Sequence, residues 1–176
     1  DVAVTNTDND AAGYTVNPTA GLTTTEAGGT ATFTVVLNTQ PSANVTIGLS
    51  SSDLTEGTVS PASLTFTAAD WSAAQTVTVT GVDDAVADGP IGYAIVTAPA
   101  ASADGNYSGL DASDVAATTT DDDVAGITAS PTAGLTTTEA GGTATFTVVL
   151  TSQPTADVSI GLSSADLTEG TAAPAS

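Results

Sequence analysis

Apolar and hydroxyl residues alternate along this chain with a period of two. Ala31, Phe33 and Val35 interleave with Thr30, Thr32 and Thr34, and Leu64 and Phe66 interleave with Thr65 and Thr67. Val45, Ile47 and Leu49 repeat the signal, as do Val77 and Val79 set among Thr76, Thr78 and Thr80. Such alternation places one side of an extended segment in a core and the other in water, which is the mark of a half-buried β-strand. The pattern predicts seven strands, A (14–25), B (30–37), C (44–50), D (63–67), E (75–82), F (91–97) and G (115–119). Gly, Pro, Ser and Asp punctuate them, and no stretch has the periodicity of a useful helix. Seven short strands in about 110 residues predict an all-β, seven-stranded immunoglobulin-like β-sandwich. Thr on the outward positions keeps β propensity high while remaining soluble.

The pattern also recurs at long range. Residues 8–63 return as 121–176, a constant offset in numbering (121 − 8 = 113), and residues 18–37 are identical to 131–150. A period of that length is an ordinary size for a domain with its own core. The expected organisation is a tandem repeat: 1–10 as the last strand and linker of a preceding module, 11–123 as a complete module, and 124–176 as the first half of the next. The chain reads as a section of a longer array. In a less favoured reading, a neighbouring chain supplies the missing strands.

Composition removes most chemistry. The chain has 20 acidic residues, no Lys, Arg or His, and no Cys, for a formal net charge of −20. Without His, Cys or Lys there is no Ser/His/Asp triad, no thiolate, no Schiff base, and no nitrogen or sulfur ligand for zinc. Phosphate recognition rests on Lys and Arg, so a nucleic-acid partner is disfavoured, as is adhesion to an anionic membrane. No apolar run reaches the length of a membrane span, and disulfides and Lys–Asn cross-links are excluded. Neutralisation of the carboxylates has to come from bound metal, solvent ions or a basic partner.

Strand alternation fixes which acids are neighbours. In a seven-strand sandwich the A–B, C–D and E–F loops and the exit of strand G share one pole. Those segments carry Glu26; Asp53 and Glu56; Asp83, Asp84 and Asp88; and Asp121, Asp122 and Asp123. Two unit charges about 5 Å apart repel by roughly 0.8 kcal/mol even in water. Calcium takes six to eight oxygen ligands and needs no nitrogen or sulfur, whereas magnesium demands tighter octahedral geometry. At millimolar calcium, a dissociation constant of about 10 μM would stabilise the bound form by about 2.7 kcal/mol per site.

Residues 121–127, Asp-Asp-Asp-Val-Ala-Gly-Ile, resemble the acidic exit of a Calx-beta domain, and Val82-Asp83-Asp84 with Asp88 resembles that family's E–F loop. The resemblance covers the whole period and resumes at Glu139 and Asp166. It implies a calcium cluster at the end of the domain held by Glu26, Asp53, Asp83, Asp84, Asp88, Asp121, Asp122 and Asp123. Glu56 has no counterpart in the family's set and enters on its position alone. The resemblance further implies a place among long bacterial surface proteins, and the lack of bases argues for a structural rather than a regulatory role for calcium. In the partial copy, Glu139, Asp166 and Glu169 are expected to form an incomplete site.

Other features read more plainly. Asp70, Asp104, Asp111 and Asp157 are expected on solvated surface. Trp71 is expected to cap the core, with a sugar-stacking platform as the alternative. Asp53-Leu54-Thr55-Glu56 also suits turn chemistry. Asn44-Val45-Thr46 and Asn106-Tyr107-Ser108 match glycosylation sequons. Paired carboxylates could serve a glycosidase, but a repeat that copies the whole acidic set argues against any enzyme. The sequence thus predicts an extracellular structural or adhesive array with Ca2+ at its module junctions. Its expected partners are neighbouring modules, identical subunits in a filament, or a glycan; the alternative function is a carbohydrate-binding module.

Overall fold

The computed structural model describes residues 1–7 and 9–174. Asp8, Ala175 and Ser176, which fall within the repeat, lie outside the described residues. The chain divides into two compact units, one of residues 1–84 and 89–122 and the other of 85–88 and 123–176.

In the first unit, the period-two segments become strands in two sheets. One sheet has the order β1 (Tyr14–Asn17), β3 (Thr30–Leu37), β7 (Gln75–Gly81), β5 (Gly57–Ser60). The other runs β2 (Leu22–Thr25), β10 (Val115–Thr120), β8 (Ile91–Thr97), β4 (Val45–Ser51), β6 (Ser63–Phe66), with β9 (Ala101–Ser102) paired to β4. Phe33, Val35, Val77 and Val79 from the first sheet meet Val45, Ile47, Ile95 and Val115 from the second in one buried cluster. The arrangement is an all-β sandwich whose interior consists of the apolar half of each alternation.

The strands are more numerous and shorter than the seven expected. Strand A is two strands in different sheets: β1 pairs antiparallel with β3, while β2 pairs parallel with β10. The break falls where Pro18 offers no amide to a ladder and Gly21 adopts a positive φ of 79°, which lets the chain cross between sheets. β5 carries a single large apolar side chain, Val59, and its pairing with β7 was not legible as alternation. Residues 1–7, expected to include a strand, are irregular.

The second unit repeats local features of the first. β11 (Ile127–Ser130) pairs antiparallel with β12 (Thr147–Leu150), from Ile127 opposite Leu150 to Ser130 opposite Thr147. The Thr138 turn, with Gly142 N donating to the Thr138 hydroxyl at 3.0 Å, matches the Thr25 turn, where Gly29 N donates to the Thr25 hydroxyl at 3.1 Å. Among the described residues, no helix is long and apolar enough to cross a membrane.

Candidate metal centre

The core-facing side of two strands changes character as it approaches one pole. Along β2, the inward series runs Leu22, Thr24 and then Glu26; along β10 it runs Val115, Ala117, Thr119 and then Asp121. Each series goes from apolar to hydroxyl to carboxylate, so the acids continue the strand alternation beyond the last paired residue. Glu26 is 3% exposed and Glu56 is 5% exposed, unusual burial for carboxylates in a chain without bases.

Backbone bonds hold these segments together. Glu26 N donates to Thr120 O at 3.1 Å, Val82 N to Glu56 O at 3.0 Å, and Gly81 N to Gly29 O at 3.0 Å. Below them lies a line of hydroxyls. Thr119 Oγ1 donates to Glu56 O at 2.8 Å, Thr24 Oγ1 is 2.9 Å from Thr119 Oγ1, and Tyr93 OH is 3.3 Å from Thr24 Oγ1. Since the Thr119 proton is directed at Glu56, a single donor direction from Tyr93 through Thr24 to Thr119 satisfies the line. Gly57 makes room for it: a Cβ there would land on the Tyr93 hydroxyl.

The carboxylates gather above this floor. Glu26, Asp83 and Asp122 each offer an oxygen, all within 4.8 Å of one another. Oxygens of Glu26 and Asp121 also come within 4.8 Å, as do those of Glu56 and Asp84. Asp121 Oδ2 accepts a hydrogen bond from Gly89 N at 2.6 Å, fastening the strand exit to the chain that enters β8. The first unit therefore assembles Glu26, Asp83, Asp84, Asp121 and Asp122 of the expected ligands, together with Glu56. Asp88, exposed, and Asp123, half-buried, belong to the second unit.

Asp53 closes a turn. Its Oδ1 accepts from Thr55 Oγ1 at 2.6 Å and from Thr55 N at 3.0 Å, and these bonds hold its pKa below the ordinary carboxylate value. Asp166 repeats the arrangement with Thr168, at 2.6 Å and 2.9 Å, with the same direction of shift. Neither belongs to a metal-capable group among the described residues, and nor do Glu139 and Glu169, which are exposed.

The donor set suits calcium. Ligands on opposite sides of a calcium ion lie at most about 5 Å apart, given Ca–O distances of about 2.3–2.6 Å, so oxygens within 4.8 Å can share one ion. Every candidate ligand is an oxygen, and Glu26 is buried where a bare charge is costly. Paired charges at 4.8 Å repel by about 3 kcal/mol at the effective dielectric of a protein surface, and a divalent cation reverses that sign.

One residue expected on solvated surface sits differently. Asp104 is a buried staple rather than solvated surface: Oδ2 accepts from Ser42 N at 2.8 Å and Oδ1 from Asn106 N at 2.9 Å, which lowers its pKa. The adjacent Tyr107 is buried and donates to Thr39 O at 2.6 Å. Trp71 is half-buried against the core, and its carbonyl accepts from Leu37 N at 3.2 Å. Asn44 and Asn106 are both exposed.

No protein-family model matches this chain, and no curated protein matches it. Similarity in fold is found among solved structures. The apo-form Calx CBD1 domain aligns with a TM-score of 0.47 at 17% identity, over 62% of this chain and 96% of that one. The periplasmic chaperone SfaE aligns with a TM-score of 0.45 at 11% identity, over 62% of this chain and 58% of that one. SSP-19, an MSP-domain protein like family member of Caenorhabditis elegans, aligns with a TM-score of 0.41 at 20% identity, over 61% of this chain and 97% of its own.

Proposed function

We propose that this chain is part of an extracellular, non-enzymatic structural or adhesive array of Calx-beta-like sandwiches, in which calcium restrains the chain as it leaves each module. The observation that carries this reading is the convergence of the buried Glu26 with Asp83, Asp121 and Asp122 at the pole where β10 ends. The chain carries a net charge of −20 and no Lys, Arg or His, so a bound cation is the natural neutralising group for that cluster. Calcium bound there ties the β10 exit to the loop after β2 and the loop after β7. A flexible outgoing chain becomes a restrained one, and modules in series hold a fixed spacing. The half-buried setting of Trp71 favours its role as a core cap over a sugar platform.

The test is calcium titration by calorimetry, paired with small-angle scattering in calcium and in chelator. Binding tighter than about 100 μM and a calcium-dependent change in dimensions are expected. Absence of binding at millimolar calcium, with unchanged scattering, would refute the reading.

A further inference from the structure

Two Asp-Gly pairs occur in this chain, Asp88-Gly89 and Asp104-Gly105, and the fold gives them opposite surroundings. An aspartate followed by glycine is open to attack by the glycine's backbone nitrogen on the side-chain carboxyl carbon, because no Cβ on the next residue hinders the approach. The reaction needs a carboxyl free to turn toward that nitrogen and to shed its hydroxyl. Asp104 has no such freedom. It is buried, its Oδ2 accepts from Ser42 N at 2.8 Å, and its Oδ1 accepts from Asn106 N at 2.9 Å. These bonds hold it in the charged form, from which oxygen leaves poorly. Its backbone carbonyl is held as well, by Tyr107 N at 3.0 Å and Ser108 N at 2.9 Å.

Asp88 stands exposed in the irregular stretch between β7 and β8, and no hydrogen bond holds its carboxylate among the described residues. Gly89 has a positive φ of 78°, and a Cβ there would meet nothing within 4 Å, so the nitrogen side of the reaction is open too. One bond opposes the attack: Gly89 N donates to Asp121 Oδ2 at 2.6 Å.

We infer that Asp88-Gly89 is a self-modification site, where Asp88 isomerises to isoaspartate when Asp121 releases Gly89. Gly89 N bonds to the Asp88 side-chain carbon, and its proton leaves with the carboxyl hydroxyl as water. A water molecule then reopens the five-membered imide at the backbone carbonyl, so the chain continues through the former side chain. No oxidant or cofactor is consumed. The product has one more methylene in the backbone between β7 and β8, and its carboxylate sits directly on Cα. Opening an exposed irregular loop costs less than withdrawing a buried carboxylate from two backbone bonds, so the two pairs differ in rate and not in chemistry. The inference rests on exposure and hydrogen bonding and is independent of calcium.

The full chain, held in chelator at neutral pH for several weeks, is digested with chymotrypsin, and its peptides are analysed by mass spectrometry with fragmentation that separates aspartate from isoaspartate. In the folded chain, isoaspartate at 88 should exceed that at 104 at least tenfold, while in urea the two pairs should react at similar rates. Equal accumulation in the folded chain, or none at 88, overturns the proposal. Asp121→Ala should raise the rate at 88 at least threefold and leave 104 unchanged. An unchanged rate at 88, or a rise at both positions, overturns local release by Asp121. Gly89→Ala tests the attack itself without reference to folding: in urea it should cut the product at 88 severalfold, and a product unaffected by it overturns the route.

Discussion

The Thr119 hydroxyl donates to the carbonyl oxygen of Glu56 at 2.8 Å, joining the end of β10 to the turn before β5. Because Thr24 and Tyr93 stand behind it in one line, this bond closes a buried polar path whose upper end is the acidic pole. Thr119→Val keeps the shape and removes the last hydroxyl of the line, leaving Thr24 to find another acceptor. A loss of about 1–2 kcal/mol in stability is expected from urea unfolding. Calcium affinity should fall as well, since the Glu56 segment loses its anchor.

On the calcium reading, Glu26 and Asp53 divide metal binding from turn formation. Glu26 is buried among Asp83, Asp121 and Asp122, whereas Asp53 holds Thr55. Glu26→Gln should weaken calcium binding at least tenfold, about 1.4 kcal/mol, in calorimetry. In chelator the same variant should melt higher than the parent, because it removes a buried charge from a repelling cluster. Asp53→Ala should lower the melting temperature while changing calcium affinity less than threefold. The reverse ranking would exchange the two roles.

Asp104 gives the acid limb of stability a specific source. Its folded pKa lies below the ordinary value of 3.8 because Ser42 and Asn106 donate to its charged form. The unfolded chain then binds more protons between the two pKa values, so this contribution is complete above the unfolded value and fades as pH falls through the folded one. Asp104→Asn keeps one carbonyl acceptor and must give up one of the two backbone bonds. In chelator it should lower the melting temperature at pH 7, and the difference from the parent should shrink as pH falls below the ordinary carboxylate value. A difference constant with pH would place its origin in packing.

Legibility in the sequence followed the physical signal available. β3, β4, β7 and β8 carry three or more inward positions each, and their alternation was plain. β5, with Val59 alone, and the two-residue β9 had too few positions to show a period. The grouping of Glu26, Asp83, Asp121 and Asp122 was legible because loop order in a sandwich follows from strand order, whereas the phase of Glu26 and Asp121 with the inward residues of β2 and β10 emerged only with the fold. The division of labour between Asp53 and Glu56 was not, since an acid in an Asp-Leu-Thr-Glu turn can bond its own backbone or face inward, and only the fold decides which. Asp104 was missed for the same reason: its partner Ser42 is 62 residues away.

Gly57 and Gly170 occupy equivalent places in the repeated sequence, one period apart, and differ in what surrounds them. A Cβ at Gly57 would strike the Tyr93 hydroxyl, at the foot of the line that ends on Glu56, while a Cβ at Gly170 meets nothing within 4 Å. Gly57→Ala should cost about 1–3 kcal/mol through forced displacement of Tyr93. Gly170→Ala should stay within about 0.5 kcal/mol of the parent. Chemical unfolding of the two variants checks the pair, and equal effects would show that Tyr93 shifts freely. The penalty belongs to the side chain that faces the glycine, and where nothing faces it the same substitution is silent.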